Sequence, residues 1–275
     1  MLGHQVVLFL KTLQEKYFLL DVARSPFTEN TILVDANDMQ ELELVLRSHQ
    51  PDIVINCIGV LVKQSKNNPA MAIQLNAYLP CRVASIINDW SGKLIQISTD
   101  CVFSGNSGGY YEEDIPDGRD VYALTKILGE QIGDENLVIR TSIIGPELKA
   151  DGTGLFHWFM MQKGEVDGYS KVFWNGLTTP HLAKIIFQAI EEKWSGIHHI
   201  GHELPISKYH LLGSIKLIMN KKDVEINEEN TYTSDKSLRT MWSSRAVSIP
   251  DYFQMLQEMR ESMVSNMELY PHYSI

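Results

Sequence analysis

Through the first 140 residues, short apolar runs of strand length alternate with longer segments whose apolar residues recur at helical spacing. That rhythm constrains the fold more than any other property of the chain, because strand and helix in alternation build a parallel sheet wrapped by helices. The strand-like runs are Phe18 to Ala23, Thr31 to Val34, Asp52 to Cys57, Lys93 to Ser98 and Asn136 to Arg140. The helical patterns are Leu2 to Lys16, Met39 to Ser48, Pro69 to Asn88 and Tyr122 to Gln131. The expected class is α/β, a Rossmann-like doubly wound parallel sheet forming a nucleotide-binding core over residues 1 to about 145. Beyond Gly145-Pro146 the pattern loosens, and residues 146–275 read as a smaller substrate lobe with some segments returning to the core. Its landmarks are an aromatic stretch at Phe156 to Phe159, a helix from Pro180 to Lys193, a strand-like Ile197 to Ile200 and a Met-rich terminal helix.

A length of 275 residues with 44% apolar content suits one large domain, or a nucleotide-binding domain with a small appended lobe. The net charge of −10 argues against nucleic acid or an anionic membrane surface as the main partner. A phosphate-bearing ligand stays compatible, since helix N-termini and local cations bind phosphate whatever the overall charge. Cys57, Cys81 and Cys101 form an odd set without Cys-x-x-Cys or zinc-type spacing, so neither disulfides nor a metal site is expected and a reducing cytoplasm fits. The first residues lack the marks of a signal peptide, and no apolar run is expected to reach membrane-spanning length.

A doubly wound nucleotide fold begins with a buried strand, a glycine-rich turn and a helix whose N-terminus faces the pyrophosphate. This chain begins in the helix: Leu2 and Gly3 read as the end of such a turn. The expectation is therefore a truncated or misassigned start, with the first strand and first glycines missing and two neighbouring ladders left unpaired.

Arg24 and Ser25 follow the Phe18 to Ala23 run, where a cation and a hydroxyl favour the 2′-phosphate of NADP(H); Asp21 keeps NAD(H) open. Asp35 is placed to accept from an adenine amino group. Asn56, Cys57, Ile58 and Gly59 end a strand with small residues that let backbone approach a cofactor. Asn76, inside an apolar helix, needs partners if buried, and reads as a tie between helix and strand supporting Lys126.

Tyr122 and Lys126 stand four apart, on one face of a helix, just downstream of the strand that ends in Ser98-Thr99-Asp100. A hydroxyl, a phenol and an ammonium gathered there suit proton transfer to a carbonyl oxygen during hydride transfer, the ammonium favouring ionised tyrosine. A second pair at the same interval, Tyr232 and Lys236, lies in a polar stretch with no such strand, and reads as a surface loop.

These residues resemble the extended short-chain dehydrogenase/reductase family, and within it the sugar-nucleotide reductases of the dTDP-4-dehydrorhamnose reductase type. Ser98-Thr99-Asp100-Cys101-Val102-Phe103-Ser104-Gly105 is similar to the family's Ser-Thr-Asp-Tyr-Val-Phe-x-Gly. Val121 to Glu130 is similar to its Tyr-Gly-x-(Thr/Ser)-Lys-x-x-Gly-Glu helix, and Val138 to Ser142 to its Leu-Arg-Thr-Ser. The resemblance implies hydride delivery from NADPH or NADH to C4 of a 4-keto-6-deoxy nucleotide sugar in surface-polysaccharide synthesis. Tyr122 would protonate the alkoxide, Lys126 lower the tyrosine pKa and bind the nicotinamide ribose, and Thr99 donate to the carbonyl oxygen. Asp100, Val102 and Phe103 would line the sugar pocket. Cys101 departs from the family's tyrosine and Ala123 from a glycine.

In the second half, Trp174 opens a segment suited to sugar binding, and Arg239 and Arg245 are candidates for a pyrophosphate. His198, His199 and His202 read as packing or surface residues, strand alternation sending the first two to opposite faces. Two alternatives stay open: a nucleotide-sugar epimerase or dehydratase that recycles its hydride on NAD, and a non-catalytic NADP-binding regulatory subunit. The expected partners are a nucleotide-sugar substrate and a second copy of the chain in a homodimer.

Overall fold

A computed structural model of the chain describes residues 1–13, 15–242 and 248–275. Helix α1 (Leu2–Lys11) carries Leu2, Val6 and Leu10 on one buried stripe, four residues apart. Strands β1 (Val22–Ala23) and β2 (Ile32–Leu33) form a short parallel pair. Helix α2 (Met39–His49) follows, its N-terminus capped by the Asp38 carboxylate on the N–H groups of Gln40 and Glu41. Strand β3 (Ile53–Asn56) leads to α3 (Val62–Asn67), α4 (Pro69–Ala72) and α5 (Leu79–Ile87), the last two joined by a π-helical stretch, Ile73–Tyr78. Pro80 explains that widening: it has no N–H for the carbonyl of Asn76, and its ring crowds that oxygen. Strand β4 (Lys93–Ile97), helix α6 (Val121–Leu128) and strand β5 (Leu137–Thr141) complete the first half.

The second half holds β6 (Ile143–Ile144), α7 (Leu155–Met161), β7 (Gly164–Tyr169), β8 (Val172–Trp174), β9 (Leu177–Thr178) and α8 (Thr179–Glu191). Then come β10 (Gly196–Ile200), β11 (Ile206–Ser207), α9 (Lys208–Ile218), β12 (Val224–Glu229), β13 (Ser234–Asp235) and α10 (Tyr252–Ser265).

The main sheet runs β10-β5-β4-β3 with every pair parallel. Alternation along its strands sorts residues between two cores. Ile95, Ile97, Leu137 and Ile139 pack with α1 and α8, while Leu94 and Val138 pack with α2 and α5. Among the described residues, β1 pairs only with β2 and β3 only with β4, so each offers one edge without a ladder. A third core, built from Phe156, Phe159, Leu211, Ile215, Met259 and Met263, fills the second lobe, where β11-β8-β13 and β12-β7 form small sheets. Helix α8 and strand β10 belong to the first core, although both lie after residue 145.

One expectation needs correction. The helical run Pro69–Trp90 has 22 residues and a mean hydropathy of 1.2, long and apolar enough by those measures to cross a membrane. Of an 18-residue window within it, 56% is buried inside the protein, where α5 packs against α2 and β4, the behaviour of a core helix.

Candidate active site

Every strand of the main sheet points its carboxyl end to one edge, and the candidate residues collect there. After β4 the chain turns through Ser98 and Thr99 into a single 3₁₀ turn, Asp100–Val102, whose start is capped by Thr99 accepting from the Cys101 N–H at 3.1 Å. The Thr99 hydroxyl donates to Asp100 Oδ1 at 3.1 Å. Helix α6 brings Tyr122 to the same point, capped by Asp120, which accepts from the Ala123 N–H at 2.9 Å. The Tyr122 phenol lies near enough to the Thr99 hydroxyl for Thr99 to influence its ionisation. Gly118 lets the 117–120 loop close on this corner, since a Cβ there would sit 2.6 Å from the Ala123 methyl and 2.8 Å from the Cys101 carbonyl.

The phenol is buried, and its pKa is raised above the ordinary tyrosine value. Burial is the main cause, Cys101, Asp100 and Asp120 add to it, and only the Thr99 hydroxyl opposes it. This differs from the expected acidification by Lys126. The ammonium of Lys126 instead donates to the carbonyl of Ile97 at 2.6 Å, beneath the strand end, and is not among the main influences on the phenol. Burial pushes Lys126 down to about 8, while Glu130 and Cys57 pull it back up. A neutral phenol beside a threonine hydroxyl is a proton donor, which is what an incoming carbonyl oxygen requires.

On the cofactor side, Gly3 at the start of α1 lies against Cys57, so the uncapped first turn of α1 faces the end of β3. The Cys57 thiol is buried, pushed up to about 12, and lies within the field of Lys126. Leu2 is buried in the α1 stripe. Asn56 is committed to protein, donating to Gln96 at 2.7 Å and accepting from the Ile58 N–H at 3.0 Å; Ile58 and Gly59 are exposed. Asn76 accepts from the Val60 N–H at 2.8 Å and donates to the Val60 carbonyl at 3.0 Å and Thr125 at 3.2 Å, tying the π-helical stretch to the segment after β3 and to α6. Arg24, Ser25 and Asp35 lie exposed at the ends of β1 and β2, and Asp35 is held below the usual carboxylate range by Asn37 and by Arg24.

On the substrate side, a polar cleft of about 470 Å³ opens beside Cys101, lined also by Phe103, Ser104, Asp117, Arg119, Asp120 and Lys236. Asp100 is buried next to Thr99. Val102 is sealed in a small core with Phe103, Tyr110 and Leu238, away from the cleft wall, and Phe103 stacks on Tyr110 at 4.2 Å. Trp174 is buried and donates to Ser142 Oγ at 2.7 Å. The Cys101 thiol is buried and pushed up to about 12, chiefly by desolvation. Arg239 is exposed with its guanidinium beside Gly109, outside the cleft lining, and Arg245 lies outside the described residues. His198 stacks between Trp194 and Trp242, while His199 meets the carbonyl of Tyr110 at 2.9 Å and Arg140 at 3.3 Å. A second cavity, about 310 Å³ and apolar, lies at the opposite ends of the strands between Ile53, Leu137 and Trp194, far from this chemistry.

Sequence reasoning passed over two features. Glu130, just past α6, takes a two-point contact from Arg140, Nε at 3.0 Å and Nη2 at 2.7 Å, and accepts from the Ser98 hydroxyl, so one buried carboxylate fastens the Tyr122 helix to the strand end that carries Thr99. A charged residue inside the apolar strand Val138-Ile139-Arg140 was the available signal. Lys236, read as part of a surface loop, lines the cleft, while its partner Tyr232 is exposed.

Residues 2–241 match the family model described as the RmlD substrate binding domain. The chain belongs to that family. This RmlD-family chain is 33% identical over 116 residues to a dTDP-4-dehydrorhamnose reductase of Streptomyces griseus, an alignment covering 40% of this chain and 38% of the relative. It is 32% identical over 112 residues to the methionine adenosyltransferase 2 subunit beta of Bos taurus, covering 40% and 33%. The matches thus span about two-fifths or less of these curated relatives. Among solved structures, a hypothetical dTDP-4-dehydrorhamnose reductase from Sulfolobus tokodaii superposes with a TM-score of 0.78 at 25% identity, covering 91% of this chain and 95% of that one. A Bacillus anthracis dTDP-4-dehydrorhamnose reductase in complex with NADP superposes with a TM-score of 0.75 at 22% identity, covering 92% and 94%, and supports the Rossmann-like fold.

Proposed function

We propose that the chain is an NADP(H)-dependent reductase of a 4-keto-6-deoxy nucleotide sugar, acting in the cytoplasm in the supply of surface-polysaccharide sugars. The carrying observation is a buried Tyr122 phenol, its pKa raised by burial, beside the Thr99 hydroxyl at the carboxyl edge of a parallel sheet. When bound, a reduced nicotinamide supplies the hydride. Lys126 is suited to its ribose, being a buried ammonium with one donor spent on Ile97 and others left over. The first turn of α1 offers N–H groups to a pyrophosphate, and Arg24 offers charge to a 2′-phosphate; NAD(H) remains a second choice. Thr99 orients the substrate carbonyl, and Tyr122 gives its proton to the oxygen as charge develops there.

The test is NADPH oxidation with a panel of 4-keto nucleotide sugars. Tyr122→Phe should depress turnover by two to four orders of magnitude with cofactor affinity near normal; retained turnover would overturn the assignment. The likeness to a methionine adenosyltransferase subunit favours a second reading, a non-catalytic cofactor-binding subunit. Tight NADPH binding with no oxidation by any substrate in the panel would select it.

A further inference from the structure

The small sheet β11-β8-β13 sets a pair of lysines on either side of Trp174. Strand β11 runs antiparallel to β8 with Ile206 opposite Trp174, and Lys208 opens α9 directly after it. Strand β13 runs parallel on the other side with Asp235 opposite Phe173, and Lys236 is the next residue. The Lys208 ammonium stands 4.9 Å from the centre of the Trp174 ring, and Lys236 reaches the Cys101 thiol and the cleft wall. Both lie in the electrostatic field of Asp100, yet among the described residues neither forms an ion pair, and Lys208 forms no hydrogen bond. Burial lowers Lys208 to about 8 and Asp100 works against that loss of charge, while Lys236 is raised above its ordinary value, so neither carboxylate contact consumes the ammonium donors. Partly buried cations with N–H groups to spare, one of them over an aromatic ring, are prepared for an anion.

We propose that Lys208 and Lys236 seat the diphosphate of the substrate, one ammonium on each side of Trp174, with Asp100 and Cys101 forming the wall between this seat and the Thr99–Tyr122 corner. The assignment deepens the nucleotide-sugar reading and rests on it for the identity of the ligand. A sugar ring lying between the two places would present its carbonyl to Tyr122 and its anomeric phosphate to the lysines. Two cations suit a diphosphate, which carries charge on both phosphorus centres.

Titration calorimetry with dTDP, UDP, thymidine, uridine and inorganic phosphate tests the seat on the full chain. The wild type should bind one of the diphosphates at least tenfold more tightly than its nucleoside. Lys208→Met and Lys236→Met should each weaken that diphosphate by roughly ten- to a hundredfold, the range for a hydrogen bond to a charged group, leave the nucleoside unchanged and preserve Tm. Lys208→Arg should recover most of the loss. Unchanged diphosphate affinity in both methionine variants, no diphosphate binding in the wild type, or inorganic phosphate binding as tightly as the nucleotide would each overturn the proposal. The two readings fail separately. Lysine-dependent diphosphate binding without NADPH oxidation defeats the reductase and leaves the seat standing; NADPH oxidation whose KM ignores both substitutions does the reverse.

Discussion

Replacing Arg140 with methionine probes the joint between the Tyr122 helix and the Thr99 strand. The side chains of Arg140 and Glu130 are 4% and 1% exposed, so the substitution leaves a carboxylate in the interior with only the Ser98 hydroxyl to satisfy it. Breaking a buried pair from one side costs about 3–5 kcal/mol, a large fraction of the 5–15 kcal/mol that stabilises a typical domain. Methionine fills similar volume, so little of the loss comes from a cavity. The double variant Glu130→Gln/Arg140→Met removes both charges and should recover at least about 2 kcal/mol of the single-variant loss. Urea unfolding followed by tryptophan fluorescence, run as a double-mutant cycle, measures both quantities. Turnover should stay depressed in the double variant, because the two-point contact from Arg140 that ties α6 to β5 is gone and residue 130 keeps only the bond from Ser98. A cost below about 1 kcal/mol for Arg140→Met, or a double variant no more stable than the singles, would refute the reasoning.

Further outcomes follow from the same geometry. Lys126 sits at about 8 against an ordinary 10.5, so its ammonium is lost as pH rises through about 8; NADPH affinity, followed by fluorescence titration, should fall from there upward, and Lys126→Met should flatten the profile. Folding stability moves in the opposite sense: between about 8 and 10.5 the unfolded chain keeps a proton that the folded chain has released, so the unfolding free energy gains with pH in that window. Gly129→Ala should cost about 1–3 kcal/mol in urea unfolding and lower kcat, since the added Cβ would lie 2.0 Å from the Asn76 carbonyl.

The central strands were legible because Leu137 to Ile139 is wholly apolar and Leu94 to Ile97 is broken only by Gln96, and a strand buried on both faces reads as such a near-continuous run. The run Phe18 to Ala23 has the same character but forms ladder only at Val22–Ala23, and Phe18 is 89% exposed. Pairing makes a strand, and this one is paired on one side for two residues. The Pro69 to Asn88 run was legible as a helix, whereas its π-helical middle depends on where the Asn76 carbonyl finds room, a matter settled by Gly129 from another helix. Thr99, Tyr122 and Lys126 could be chosen by spacing and context. The direction of the Tyr122 shift could not, since it follows from burial and from acidic neighbours that the fold supplies. Lys208 and Lys236 are separated by 28 positions and come to the two sides of one strand only because β11 and β13 flank β8, a relation no local pattern encodes.

The return of α8 and β10 to the first sheet makes the molecule difficult to divide. A cut after Gly145 would strip β5 of its neighbour along five residues, Leu137 to Thr141, and leave Leu2, Val6 and Leu10 facing solvent. Neither fragment would own a finished interior, so the lobes must melt together, and damage in one should register as lost order in the other. For such a chain the two halves are inherited as a unit, and exchanging one alone with a relative would mean rebuilding the seam.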